Sequence, residues 1–186
     1  QMAILFTSDL HLGHENIIKS RNQFDNIEEH DRYLIEQWNK KVHKSDDVYI
    51  LGDLSFRASK HISYYLCQMK GRKHLIIGNH DKDWMKKVDD LSFFFESVDS
   101  LKVIKFEKKC VTLCHYPMLE WSGSRSTNKE LSYLIHGHIH DQKNPNVYGY
   151  IRDNQPHALN AGVDINHFQP VTFEELKNNC AIWYDR

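Results

Sequence analysis

The first half of the sequence repeats one pattern three times: a short apolar run, a break, and then side chains suited to metal binding or proton transfer. The runs and the polar residues after them are 3–7 with Asp9 and His11, 48–51 with Asp53, and 73–77 with Asn79, His80 and Asp81. Such runs are typical of buried strands, and helix-like stretches separate them, which indicates a largely parallel sheet. Because parallel strands end at one edge, we expect these side chains to lie close together there.

Composition and charge narrow the class of protein. The chain has 186 residues, of which 40% are hydrophobic and 12% aromatic, so we expect one folded domain over residues 1–186. Its 24 basic and 25 acidic residues give a net charge of -1, which predicts no general attraction to nucleic acid or anionic membranes. No apolar run approaches the roughly 20 residues of a membrane span. Four scattered cysteines and the lack of a signal-peptide pattern predict reduced thiols in a cytoplasmic protein.

Asp9 and His11 lie two residues apart after the first apolar run. In an extended segment their side chains would share one face, while Leu10 would point into the fold. A carboxylate and an imidazole on one face suit a divalent cation. The alternative is an aspartate that caps the next helix beside an uninvolved histidine. His14 follows Gly13 and is expected near the same cleft.

The second half predicts a different arrangement. Val98–Phe106 and Lys109–His115 alternate as an antiparallel hairpin would, and a strand at 133–135 ends in three histidines at alternate positions, 136, 138 and 140. Three imidazoles at this spacing share a face, and Gly137 allows a close approach between them. A structural zinc site is the alternative, but it would require cysteine partners at finger spacing. We expect a last strand over Ala158–Asp164 and a helix from Thr172 to about Asn178.

Five motifs occur in an order that resembles one family. Asp9-x-His11, Gly52-Asp53, Gly78-Asn79-His80-Asp81, His115 and Gly137-His138-x-His140 are similar to the complete motif set of the calcineurin-like metallophosphoesterases. The segment 7–18 and the compact length further resemble the small bacterial and phage members. The resemblance implies an α/β fold of two packed mixed β-sheets flanked by helices, a four-layer α/β/β/α sandwich.

The resemblance also implies two metal ions. Asp9, His11, Asp53 and His140 would hold the first, and Asp53, Asn79, His115 and His138 the second, with Asp53 bridging them. Oxygen and imidazole donors without thiolates suit divalent or trivalent ions, with Mn²⁺ as the first choice and Fe or Zn²⁺ as alternatives. Two such ions about 4 Å apart can share a hydroxide that attacks phosphorus, so no serine or cysteine nucleophile is required.

Roles for the remaining polar residues follow from the same resemblance. His80 would protonate the leaving oxygen, and Asp81 would fix its tautomer and raise its pKa. Arg57 could bind a phosphate oxygen or be a plain surface residue; Phe56 stands where the protein-phosphatase branch has an aspartate, so we do not assign the chain to that branch. The other candidate substrate contacts are His14, Asn79 and Trp121, while His136 is expected to pack behind the site.

Three functions follow from these residues. The first is hydrolysis of small phosphomonoesters or phosphodiesters, including cyclic nucleotides and oligonucleotides. The second is a nuclease on longer DNA or RNA, which would require a basic track, with 70–73 or 105–109 as candidates. The third is a non-catalytic metal-binding scaffold, although such relatives tend to lose ligands and this chain retains them all. Substrate choice is expected to depend on the loops 118–132 and 141–156.

Overall fold

Two β-sheets form the centre of the computed structural model, which describes residues 2–126, 128 and 131–185. The strands are β1 (Ile4–Thr7), β2 (Asp47–Ile50), β3 (Arg72–Ile76), β4 (Ser97–Asp99), β5 (Leu101–Phe106), β6 (Lys109–Cys114), β7 (Ser132–His136), β8 (Ala158–Asn160) and β9 (Val171–Thr172). The α-helices are α1 (Ile27–Lys41), α2 (Ile62–Leu66), α3 (Lys82–Met85), α4 (Tyr150–Asn154) and α5 (Phe173–Trp183). Single turns of 3₁₀-helix occur at Glu15–Lys19, Leu91–Phe93 and Val163–Ile165, and a π-helical turn at Pro145–Gly149 precedes α4.

The first sheet has the strand order β4-β3-β2-β1-β9. Strands β1 to β4 are parallel, and β9 pairs antiparallel with β1. The register places Thr7 opposite Ile50 and Ile50 opposite Leu75, so the first three strands end side by side. The loops that carry Asp9, Asp53 and 78–81 therefore leave the sheet at one edge, as the repeated pattern predicts.

The second sheet has the order β5-β6-β7-β8, and it combines an antiparallel hairpin with two parallel pairs. The hairpin turns at Glu107 and Lys108, as predicted. The single strand predicted over Val98–Phe106 is wrong, because the chain crosses between sheets at Ser100: β4 pairs with β3, and β5 pairs with β6. Apolar and polar residues are interspersed on both sides of Ser100, so the sequence pattern does not show where the chain leaves one sheet for the other.

Two hydrophobic cores lie on opposite faces of the first sheet. Leu5, Val48 and Ile50 join the apolar faces of α1 and α2 on one side. On the other side, Phe6 and Tyr49 belong to the core that includes the second sheet and α5. The predicted architecture of two mixed sheets flanked by helices is therefore confirmed. Among the described residues, none of the helices has both the length and the apolar character needed to cross a bilayer.

The C-terminal elements differ from prediction in length. Thr172 and Glu175 form the predicted capping box, but α5 continues to Trp183 rather than ending near Asn178. Strand β8 spans only Ala158–Asn160, and the chain then turns through the 3₁₀ segment Val163–Ile165. This early turn brings Asp164 to the edge where β1, β2 and β7 end.

Candidate metal centre

The polar loops after β1 and β2 adopt left-handed backbone conformations. Asp9, His11 and Asp53 have φ values of 58°, 52° and 52°. The predicted extended segment is therefore wrong, although both side chains still point toward one site. The amide of Asp9 donates to the Gly52 carbonyl at 3.0 Å, and that of His11 donates to the Asp53 carbonyl at 3.0 Å. Non-glycine residues in this region cluster at functional sites, because such strain persists only where the surroundings enforce it.

Asp9, His11 and His140 form a first group of potential ligands, with one ligand atom from each lying within 4.8 Å of the others. His11 is buried, and neither of its ring nitrogens has a hydrogen-bond partner among the described residues. Burial, reinforced by the charges of His140 and Arg21, lowers the pKa of His11 to about 2, so its imidazole is neutral. A buried neutral imidazole with a free lone pair beside a carboxylate fits a divalent cation.

Asn79, His115 and His138 form a second group. The His115 Nε2 lies 3.0 Å from the Asn79 Oδ1, and the His138 Nδ1 lies 3.1 Å from the same oxygen. The other ring nitrogen of His115 faces the Leu51 carbonyl at 2.7 Å and must donate to it. The Nε2 of a neutral His115 therefore carries a lone pair, and it faces another lone pair on the Asn79 amide oxygen. This donor set also fits a cation.

Asp53 lies between the two groups. Its Oδ2 is 3.7 Å from the His11 Nε2 and 3.5 Å from the His115 Nε2. Its Oδ1 accepts a hydrogen bond of 2.9 Å from the His80 amide. This is the position that the predicted bridging carboxylate requires. The structure thus brings all seven predicted ligands together, and their role as ligands stays a prediction.

His80 lies at the accessible side of this cluster. Its Nε2 is 3.9 Å from the Asp53 Oδ2, and its ring centroid is 3.9 Å from that of Phe56. About one third of the His80 side chain is exposed, whereas Asp53 is almost completely buried. The imidazole can therefore meet a substrate from solvent while it stays beside the carboxylate.

Asp81 is completely buried and contacts two loops rather than His80. Its carboxylate accepts four hydrogen bonds of 2.8–2.9 Å, from the amides of Asp53, Leu54 and Gly78 and from the Trp84 indole. The His80 ring is not among its donors in the described chain, which contradicts the prediction that Asp81 fixes the tautomer of His80. Burial raises the pKa of Asp81, and the hydrogen bonds from Gly78 and Trp84 act in the opposite direction. Asp81 is thus a positioning residue for the loops that carry Asp53 and Asn79.

Comparison with known proteins identifies the family. The model of the calcineurin-like phosphoesterase superfamily domain matches residues 2–166. The chain belongs to this superfamily. Membership supports a hydrolase of phosphate esters that binds metal. This agrees with two groups of aspartate and histidine side chains that could hold an ion, namely Asp9 with His11 and His140, and Asp9 with Asp53 and His115.

The relatives that match the chain include phage and archaeal proteins. The Gene 66 protein of Mycobacterium phage L5 is 37% identical over 157 residues, which covers 73% of this chain and 76% of the relative. An uncharacterized protein of Methanocaldococcus jannaschii is 32% identical over 174 residues, which covers 92% of this chain and 87% of the relative. The crystal structure of an Aquifex aeolicus protein of unknown function matches with a TM-score of 0.73 and 26% identity, covering 96% and 99% of the two chains.

Sequence reasoning missed Asp164 and Arg21, which support one of the potential ligands of this phosphoesterase domain. The His140 Nδ1 donates to the Asp164 Oδ2 at 2.9 Å, so its Nε2 is free to face Asp9. Arg21 is buried, binds both Asp164 oxygens, and donates to the Asp9 carbonyl at 2.6 Å. Burial lowers the pKa of His140, but the hydrogen bond to Asp164 and the charge of Asp9 outweigh it, so the pKa is raised. Carboxylates that orient a histidine in this way tune metal sites.

Gly137 lets the histidine loop approach Asp9. A Cβ at this position would lie 1.9 Å from the Ser8 Oγ and 2.6 Å from the Asp9 Oδ2. Without one, the His138 amide donates to the Asp9 Oδ2 at 2.9 Å. His136 is buried in β7, and its Nδ1 lies 2.9 Å from the Gly137 carbonyl, behind this contact as expected.

The predicted substrate contacts divide into two groups. The His14 ring lies 5.4 Å from the His11 ring and 4.9 Å from the Phe56 ring, so it borders the centre. Arg57 is exposed, and its guanidinium lies 4.9 Å from the centroid of the Phe56 ring, which also contacts the His80 ring. Both residues are placed where a substrate could meet them.

Trp121 is placed elsewhere. Its indole donates to the Ser132 Oγ at 3.1 Å, at the first residue of β7, whereas the potential ligands follow the other end of that strand. Five strand residues separate these ends by roughly 13 Å. The structure therefore does not bring Trp121 to the candidate centre, and its contact with substrate stays a prediction. Part of the predicted rim around Trp121, residues 127, 129 and 130, lies outside the described residues.

The basic segments considered for a nuclease also lie away from the centre. Arg72 and Lys73 begin β3, and Lys109 begins β6, whereas the potential ligands follow the opposite ends of these strands. Arg72 is paired with Asp47, and Lys109 with Glu107. Neither segment forms a basic track beside the candidate site.

Proposed function

We propose that this phosphoesterase hydrolyses small phosphomonoesters or phosphodiesters, including cyclic nucleotides and oligonucleotides, with water as the attacking group. One observation carries the proposal: potential ligand atoms from residues remote in sequence converge on Asp53 and Asn79, and both ring nitrogens of the buried His11 lack a hydrogen-bond partner among the described residues. Such convergence is costly in a metal-free protein and is the arrangement that cations stabilise.

The proposed ligands are Asp9, His11, Asp53 and His140 for one ion, and Asp53, Asn79, His115 and His138 for a second. Carboxylate and amide oxygens with imidazole nitrogens favour Mn²⁺, with Fe or Zn²⁺ as alternatives. When bound, a pair of such ions would lower the pKa of water and neutralise charge on the phosphate. The chain's own contribution is to hold Asp53 between the two groups and to fix the tautomers of His115 and His140 through Leu51 and Asp164.

His80 is proposed to donate a proton to the leaving oxygen. Its partly exposed imidazole lies 3.9 Å from the Asp53 Oδ2, and the centroid of the Phe56 ring lies 3.9 Å from that of the His80 ring. An alkoxide leaves slowly unless it is protonated, whereas an aryl oxide leaves readily. His14 and Arg57 border the same side and are proposed to contact the substrate, with Asn79 as a further contact.

The test is reconstitution of the metal-free protein with Mn²⁺ or Zn²⁺, followed by assays on a phosphomonoester, a phosphodiester and a cyclic nucleotide. We expect turnover of at least one ester that depends on the added ion and falls by about 100-fold or more in Asp53→Asn. Asp99→Asn is the matched control, because Asp99 is a carboxylate at the end of β4 that pairs with Lys102. A protein that binds the ions but hydrolyses none of the three esters would overturn the proposal.

A further inference from the structure

A concave basic surface adjoins the segment that carries Phe56. This basic cleft has a volume of about 480 Å³ and lies between the loop after β2, the start of α2, and α3. Its polar and aromatic lining includes Arg57, Lys60, His61, Asp83, Trp84 and Lys87. The predicted metal ligands do not line it, so it is distinct from the metal centre.

The walls of the basic cleft are joined to each other and to the catalytic loop. The His61 Nδ1 accepts from the Ser63 amide at the start of α2, and its Nε2 donates to the Lys87 carbonyl at 3.2 Å. The Trp84 indole donates to the buried Asp81 at 2.8 Å, directly after His80 in the chain. The cleft is therefore a built feature of the fold.

The charge of the basic cleft is opposite in sign to that of the whole chain. Arg57, Lys60 and Lys87 line the cleft with one carboxylate, Asp83, whereas the chain has a net charge of -1. Lys60 also borders a neighbouring cavity, whose lining includes Glu28, Asp31 and Glu36. The ion pairs of lysine and arginine in the described residues involve other cations. Aromatic rings contact two of the cleft's cations: the Lys60 Nζ lies 4.0 Å from the centroid of the Tyr64 ring, and the Arg57 guanidinium lies 4.9 Å from that of Phe56. An aromatic ring carries no net charge, so these contacts do not neutralise the cations. Unpaired cations in a concave surface attract an anion.

The position of the basic cleft connects it to the reaction. The Phe56 ring lies 3.9 Å from the His80 ring and 4.9 Å from the Arg57 guanidinium. If His80 protonates the leaving group, that group is close enough to Phe56 to reach Arg57. A further phosphate on it would then meet Lys60 and Lys87.

We infer that the basic cleft is a subsite for a second phosphate of the substrate. The preferred substrate is then a phosphodiester with at least one additional phosphate. A short single-stranded oligonucleotide is such a compound, and its bases could also contact the apolar side chains of Ile62 and Trp84 in the cleft wall. This inference rests on the proposed function and names its substrate class. It also places the basic surface for a nucleic acid where sequence analysis did not.

The kinetic test compares thymidine dinucleotide and trinucleotide, with one and two phosphodiesters, in the Mn²⁺-loaded protein. We expect kcat/KM to be at least about tenfold higher for the trinucleotide, the effect of one charged hydrogen bond. In Lys60→Ala/Lys87→Ala the ratio of the two kcat/KM values should fall to about two, because the trinucleotide has two phosphodiester bonds and the dinucleotide has one. Lys105→Ala, an exposed lysine on β5, is the control and should keep the native ratio. A native ratio near two, or an unchanged ratio in the double variant, would overturn the inference.

A binding test separates the subsite from catalysis. The metal-free protein is titrated with thymidine trinucleotide or inorganic tripolyphosphate, and amide chemical shifts of residues 57–62 and 82–87 are followed. Saturable shifts with the trinucleotide that disappear in Lys60→Ala/Lys87→Ala support the subsite, even if no ester is hydrolysed and the proposed function fails. Shifts with tripolyphosphate alone, or with neither compound, would refute an oligonucleotide subsite.

Discussion

Replacement of Asp81 by asparagine tests whether this residue acts through the loops or through His80. Each carboxylate oxygen accepts two hydrogen bonds: Oδ2 from the amides of Gly78 and Asp53, and Oδ1 from the amide of Leu54 and the indole of Trp84. Whichever oxygen becomes an amide nitrogen, two buried donors lose their acceptor and face another donor.

The magnitude follows from those two lost contacts. A hydrogen bond to a charged group contributes about 1.5–3 kcal/mol, so Asp81→Asn should lower the free energy of unfolding by about 3–6 kcal/mol. Such a loss is a large part of the roughly 5–15 kcal/mol that stabilises a typical domain. The loops that carry Asp53 and Asn79 should loosen with it, and metal affinity should fall.

The assay is urea unfolding of the metal-free protein, followed by equilibrium dialysis against Mn²⁺. Asp83→Asn is the matched control, because Asp83 is an exposed carboxylate two residues away and should change stability by less than about 0.5 kcal/mol. If Asp81 instead acted on His80, Asp81→Asn would retain its stability and shift the pH profile of turnover. A loss of stability below about 1 kcal/mol would therefore refute the positioning role.

Three further predictions concern other side chains. His80→Ala should keep its metal content but lose more turnover on alkyl than on aryl phosphate esters; equal losses would count against the acid role. Asp164→Asn should weaken metal binding about 10- to 100-fold in a chelator competition, because the variant has no carboxylate at residue 164 to accept the hydrogen bond from the His140 Nδ1. An unchanged affinity would contradict this. Burial raises the pKa of Asp47, but the hydrogen bonds from Arg72 and His74 lower it by more than burial raises it, so its folded pKa lies below 3.8. Asp47→Asn should thus have a lower free energy of unfolding than the native chain at pH 6, and this difference should disappear as the pH falls below 3.8 through the folded pKa. A difference in urea unfolding that stays constant with pH would contradict this.

The convergence of the strand ends could be predicted because it depends on local signals. Each apolar run and its break are read within about ten residues, and parallel pairing then fixes which ends meet. That reasoning placed Asp9, Asp53 and Asn79 at one edge, which the register of β1, β2 and β3 confirms. It did not require knowledge of any individual contact.

The contacts of single side chains could not be predicted in this way. Asp81 follows His80 in sequence, but its partners are set by the neighbouring loop after β2. Arg21 has no local pattern that indicates its burial beside Asp164. For Asp164 a signal was present, since the apolar run 158–163 ends in a carboxylate as the first two runs do. The prediction of one long strand over this run does not include the turn at Gly162.

The backbone at the candidate metal centre shows how the fold holds the predicted ligands in place. Five of the predicted ligands have left-handed conformations, namely Asp9, His11, Asp53, His138 and His140. At about 1 kcal/mol each, this strain amounts to roughly 5 kcal/mol, similar to the net stability of a small domain. Hydrogen bonds outside the predicted ligand set offset it: Asp81 accepts from the Asp53 amide, and Arg21 donates to the carbonyls of Asp9 and Leu10. Residues outside the predicted ligand set therefore stabilise the candidate site, and one of them, Arg21, lies in none of the ligand motifs.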